Sequence, residues 1–244
     1  YATVCAILCG LANLFLWCGF DANVFISESV LHSVNGRSPE RIGAHDGYYG
    51  MAVSNIFYML SNLVIPSLAN YFRCKWILTL SAAFFLFYFL SFLLLNRLLF
   101  FIASAVLGAA FSAFNVGYSG YLTEFSTRAT IEHNTALSWG VSSLSVAGGA
   151  LVNLAVTTIN LNENVVSKYR EYSDTEISCF FAAFSLLSCL AMGVFAFLPN
   201  KEVEGNIAAS NVRSTAVTEQ FKVMVSVLFH RRVLVLVPFY LYIG

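Results

Sequence analysis

Residues 117–134 read GYSGYLTEFSTRATIEHN, with Trp139 and Gly140 just beyond, and they sit between two long apolar runs, Leu98 to Phe114 and Ala136 to Thr157. A polar elbow between runs of that length is a loop joining two membrane helices, since a helical span needs about 20 apolar residues. Within the elbow, Glu124, Arg128 and Glu132 recur every four residues. On a continuous helix that spacing sets the base between two acids. Either the three keep a solvated helical turn in water, where such pairs contribute little, or Arg128 locks a junction between helices or touches a partner. A lock predicts that losing Arg128 impairs function and that exchanging the charges of Glu124 and Arg128 partly restores it.

Composition points the same way. The chain has 244 residues, is 58% hydrophobic, 16% aromatic and 11% charged, and has a mean hydropathy of +0.73, too much apolar surface for one water-soluble core. The expected class is an all-α membrane protein in contact with a lipid bilayer. With a net charge of zero and no long basic run, nothing argues for nucleic acid, and none is expected as a partner. Cys5, Cys9, Cys18, Cys74, Cys179 and Cys189 lie in or beside apolar runs, a placement that suits neither a disulfide framework nor zinc.

Six spans are expected, near Ala2 to Ile26, Gly47 to Phe72, Trp76 to Leu95, Leu98 to Leu122, Ala136 to Ile159 and Ile177 to Leu198. Residues 1–198 then form a six-helix bundle. Residues 199–232 form a loop in which Phe221, Met224, Val225 and Leu228 mark an amphipathic helix, and 233–244 open a seventh span. The chain reads as a fragment cropped at both ends. Lysine and arginine number five in the loops after the first, third and fifth spans and eight after the second, fourth and sixth. That bias puts the elbow, the 199–232 loop and the N-terminus in the cytoplasm and the stretch from Ser27 to Asp46 outside.

Polar residues inside the spans are the candidate functional groups. Asp21 interrupts the first apolar run, and Glu28 follows seven residues later on nearly the same face. An acid there is functional by default because charge near hydrocarbon is costly, unless the helix simply surfaces at Asp21. His32 and His45 lack ligand spacing and read as surface residues. The second span, with Ser54, Asn55, Ser61, Asn62 and Pro66, is suited to a bundle interior, whereas the third, nearly pure Phe, Leu and Ala, is expected to face lipid. Gly108 and Ser112, Ala113 and Gly117, and then Gly140, Ala147, Gly148 and Gly149 allow close helix approach. Asn115, Tyr118, Ser119 and Leu122 share one face of the fourth span, suited to a polar cavity or a helix contact, and Tyr121 and Glu124 follow toward the elbow. Gly19-Phe20-Asp21 and Gly117-Tyr118-Ser119 form a faint echo of the kind that repeated transporter units show. No catalytic motif is present: Ser119 in GYSGY lacks the second glycine of a nucleophile elbow, and there is no HExxH, Walker loop or CxxC. Neither a cofactor nor a metal is implied.

Three runs carry a resemblance: ESVLHSV at Glu28 to Val34, GYYG at Gly47 to Gly50, and EFSTRATIEHN at Glu124 to Asn134. Together they resemble the uncoordinated-93-like family of ion-channel regulatory membrane proteins, a branch of the major facilitator fold. The resemblance implies a twelve-helix protein in two halves, of which this chain is the first and the opening of the second. It implies an accessory subunit of a potassium channel or a trafficking chaperone of another membrane protein, expected at the plasma membrane rather than an internal one. The alternative is a major-facilitator transporter of a small solute. Against that alternative, the stretch PSLANYFRCK, Pro66 to Lys75, keeps only Arg73 and Lys75 of the transporters' basic signature, with Asn70 where an aspartate is expected.

Overall fold

The computed structural model describes residues 1–69, 71–159, 171–200 and 203–210, together with 222, 223, 226, 227, 229, 230, 233 and 235. The elements in chain order are α1 (Ala2–Arg37), α2 (Asp46–Leu68), α3 (Cys74–Leu93), α4 (Arg97–Phe125), α5 (Ile131–Ser142), α6 (Ser145–Ile159), α7 (Asp174–Ala196) and a short α8 (Ile207–Ser210). There is no strand among the described residues. With α5 and α6 counted as one interrupted span, six helical segments among the described residues are long and apolar enough to cross a membrane. The chain is an all-α, multi-pass membrane protein. Asn70 and the amphipathic positions Phe221, Met224, Val225 and Leu228 lie outside the described residues, as does nearly all of the run from Val233.

The first helix is longer than its apolar run. It continues to Arg37, so most of the stretch expected as a loop from Ser27 to Asp46 is helical and the true connection is residues 38–45. Hydropathy marks where lipid ends, but a helix ends where its backbone finds other partners. Here the overrun is held from the side: Arg37 pairs with Asp174 at 2.7 Å and also donates to the Tyr172 carbonyl. The Tyr172 amide in turn donates to Ser33 Oγ at 3.1 Å. The connection then folds back, with Asn35 Nδ2 donating to the Ile42 carbonyl at 2.7 Å and Arg41 Nε to Leu95 at 3.2 Å. Ser173 and Glu176 close a capping box on α7 beside this clamp.

The environments expected for the second and third spans are exchanged. Half of the apolar window of α3 is buried, against 11% of that of α2. Composition misleads because lipid and a membrane-protein interior are equally apolar; shape decides instead. The rings of α3 interlock with neighbours, Phe92 stacked on Phe181 at 4.0 Å between centroids and Phe85 edge-on to Phe111 at 5.2 Å. Trp17 and Phe20 of α1 join that cluster. The polar groups of α2 meet α4 along one edge: Ser112 Oγ donates to Asn62 Oδ1 at 2.9 Å. Many of its larger side chains, Met51, Ile56, Met59 and Leu60 among them, are exposed.

Small residues do set the closest approaches. A Cβ on Gly108 would lie 2.1 Å from the Ser54 carbonyl oxygen of α2, and one on Gly149 would lie 2.9 Å from that of Cys18. Gly140, by contrast, faces open space. It begins the sequence GVSSLS, where the fifth span breaks at Ser143 and Leu144. A glycine and three serines within six residues favour a break, because serine hydroxyls compete for backbone partners; Ser143 Oγ donates to the Gly140 carbonyl at 2.9 Å.

At the elbow end, the chain after α7 folds back beneath α4. Val203 donates to the Glu124 carbonyl at 3.4 Å and Ile207 to that of Ser126 at 3.1 Å. Lys75 Nζ, on the first turn of α3, lies 3.4 Å from the Ala196 carbonyl at the end of α7, where a cation complements the helix dipole.

Candidate functional site

Asp21 is half-buried, near the mid-depth of the bundle. Its neighbour Phe20 packs on Phe85 and Phe111, each near the midpoint of its own helix. The carboxylate oxygen Oδ2 accepts a hydrogen bond from Ser145 Oγ at 2.8 Å. Ser145 is 4% exposed and is the first residue of α6, so an acid of α1 stands at the N-terminus of a half-helix formed by the break. That end carries partial positive charge and unpaired backbone N–H groups, which favour an anion. No Lys or Arg pairs with Asp21 among the described residues. Gly148 and Gly149 press this part of α6 against Cys18 and Ala22, and Asn153 Nδ2 donates to the Ala22 carbonyl at 3.1 Å. Ser145 escapes a sequence reading based on charge; the serine-rich break was its only signal.

Toward the elbow, α1, α4 and α5 enclose polar groups without partners. The Asn13 amide is 1% exposed with neither end hydrogen-bonded, and the Trp17 indole N–H, Tyr118 hydroxyl and Ser138 hydroxyl are likewise unpartnered. Tyr118 and Ser138 face each other beside Cys9 with no hydrogen bond of normal geometry between them. In a dry interior each such group costs roughly 1–3 kcal/mol, so this junction is a place for ordered water. Asn115, by contrast, is on the open face of α4 with Ser119 and donates to the Tyr58 hydroxyl at 3.0 Å. The face expected to hold Asn115, Tyr118, Ser119 and Leu122 together is therefore split between an open and a buried side. Tyr121 is 2% exposed and donates to the Pro199 carbonyl at 3.1 Å, tying α4 to the segment after α7.

The three charges of the elbow do not share a helix. Glu124 is on the last turn of α4, Arg128 is in the connecting turn, and Glu132 is on the first turn of α5. Helix α4 stops because Ser126 is extended and the Thr127 amide turns to Thr130 Oγ1 at 3.0 Å. Arg128 and Glu132 are exposed, and no ion pair joins Arg128 to either acid. The buried bond of this elbow is another one: Asn134 Nδ2 donates to Ser126 Oγ at 2.8 Å, with the two residues 2% and 0% exposed.

Glu28 is at the opposite end of the bundle, exposed, and accepts a hydrogen bond from the Tyr48 hydroxyl. The pair stands at the mouth of a cavity of about 300 Å³ between α1, α2 and α4, which reaches inward to Tyr88 and Phe111. Asn23 lines it, 2% exposed, its side chain beside the Tyr88 hydroxyl and its Oδ1 without a partner. Sequence reading reached Glu28 but not Tyr88, which only the fold brings beside Asn23.

No curated protein matches the chain. The family model described as ion channel regulatory protein UNC-93 matches residues 38–244. The match includes GYYG and the elbow run, and ESVLHSV falls before it. A match over that much of the sequence places the chain in a regulatory family: it belongs to the UNC-93 ion channel regulatory proteins.

Proposed function

We propose that the protein is a non-enzymatic accessory subunit or trafficking chaperone of an ion channel, of the potassium-channel type, at the plasma membrane. The observation that carries this reading is the family match across residues 38–244. The geometry is compatible with it, since polar side chains in the bundle tie helices together (Ser112 to Asn62, Ser81 to Ala110, Asn153 to Ala22), while α2 and α6 present large apolar side chains such as Met59 and Leu151 outward. Outward apolar faces of that kind suit lipid and helical partners alike. The excess of Lys and Arg in the loops at the elbow end supports a cytoplasmic position for it. The test is co-expression of the full-length protein with a potassium channel, reading current density and surface level. An unchanged current and surface level, tested across the channels co-resident with the protein, would sink the reading.

A second reading, a small-solute transporter of the major facilitator type, is favoured by one observation. Transporter binding sites lie near mid-membrane at interrupted helices, and Asp21 with Ser145 stands at such an interruption. Saturable solute uptake by the purified protein in liposomes, lost in Asp21→Asn, would select it over the first.

A further inference from the structure

The cavity at the Glu28 end combines features that select one kind of ligand. Among its described lining residues Glu28 is the sole charged side chain. An anion is therefore repelled, and a cation meets a carboxylate whose one described partner is a neutral hydroxyl, that of Tyr48. The inner wall is aromatic, formed by Phe20, Tyr88, Phe100 and Phe111. Ring faces attract a cation that has shed part of its water. Gly50 sets that wall: a Cβ there would lie 2.4 Å from the Phe100 ring, so its absence lets α2 approach. Asn23 Oδ1, buried and unpartnered, supplies an acceptor in want of an N–H donor.

A bare metal ion fits poorly, because one carboxylate amid aromatic rings supplies too few oxygen ligands. A purely apolar ligand would leave Asn23 unsatisfied. The volume, about 300 Å³, lies at the lower end of the range for small-molecule sites. An adjoining, partly open cleft of about 340 Å³ shares Val24, Glu28 and Tyr48 with it and is bordered by His32.

We propose that this cavity binds a small organic ammonium ion with an apolar body, its charge at Glu28, its N–H groups toward Asn23 and its body against the aromatic wall. The proposal does not rest on the regulatory reading, since a regulator and a transporter alike accommodate such a site. The test is equilibrium binding of radiolabelled phenethylammonium to the full-length protein in lipid nanodiscs, with 2-phenylethanol as a neutral competitor of nearly the same shape. Binding is expected to be saturable, with the alcohol weaker by about ten-fold or more, the scale on which a partly desolvated cation–π contact and an ion pair discriminate. Glu28→Gln should remove that preference, and Tyr48→Phe, which leaves the carboxylate in place, should retain it. Equal potency of ammonium and alcohol, a preference surviving Glu28→Gln, or no saturable binding overturns the proposal. Should Glu28→Gln fail to fold, the ammonium-against-alcohol comparison on the unaltered protein decides alone.

Discussion

Ser145 donates a hydrogen bond to Asp21 across 2.8 Å, and with it the break in the fifth span is fastened to the middle of α1. Removing the hydroxyl leaves a carboxylate in the bundle with no side-chain donor. Ser145→Ala is therefore expected to cost about 1–3 kcal/mol, and Asp21→Ala made together with it should cost less than the sum of the two single changes. Thermal melting of the full-length protein and its two single and one double variant gives the coupling, expected at about 0.5–3 kcal/mol; a coupling of zero would detach the pair from the fold's stability.

Two glycines separate close packing from open space. Gly108→Ala drives a methyl group into the Ser54 carbonyl of α2 and should destabilise by about 1–3 kcal/mol. Gly140→Ala meets nothing and should be neutral, or stabilising by up to about 1 kcal/mol. Melting temperatures and expression levels of the two variants should therefore diverge, and equal behaviour would contradict the contact of α2 with α4.

At the elbow the exposed Arg128 and the buried Asn134 make opposite predictions. Arg128→Ala should change stability by no more than about 0.5 kcal/mol and leave the surface level unchanged, with no rescue needed from a charge exchange with Glu124. Asn134→Leu strands Ser126 Oγ and should cost about 1–3 kcal/mol. A double-mutant cycle on surface level checks both; strong coupling between positions 124 and 128 would restore the lock.

Topology is open to labelling by an impermeant thiol reagent in a background lacking the exposed Cys179 and Cys189. Ser126 is fully buried and unsuitable as a probe, whereas Ala129 and Glu40 are exposed. With the elbow in the cytoplasm, Glu40→Cys labels on intact cells and Ala129→Cys only after permeabilisation. The reverse pattern inverts the orientation.

The all-α class and the six spans among the described residues were legible because the bilayer imposes length and apolarity on any spanning segment. What each helix touches was not legible. The phenylalanines of α3 read as lipid-facing, yet Phe85 and Phe89 are fully buried, because no hydropathy scale distinguishes an acyl chain from a neighbouring ring. The acids Asp21 and Glu28 stood out for their cost near hydrocarbon, but their partners Ser145 and Tyr48 did not, since neutral hydroxyls are common in spans and only the fold selects which of them meets a carboxylate. The four-residue spacing of Glu124, Arg128 and Glu132 misled for a local reason: the turn at Thr127 and Thr130 interrupts the helix that the spacing presupposes.

The overrun of α1 has a mechanical consequence. At 1.5 Å per residue its 36 residues make a rod of about 54 Å, far longer than a hydrocarbon core of about 30 Å. Sixteen residues, about 24 Å, separate the fulcrum at Asp21 from the tip at Arg37. A tilt of about 10° about that fulcrum carries the tip roughly 4 Å sideways by the same geometry, and the Arg37 clamp on Asp174 carries α7 along with it or lets go. The helix is thus tied to its neighbours at two heights, at Asp21 to the start of α6 and at Arg37 to the start of α7.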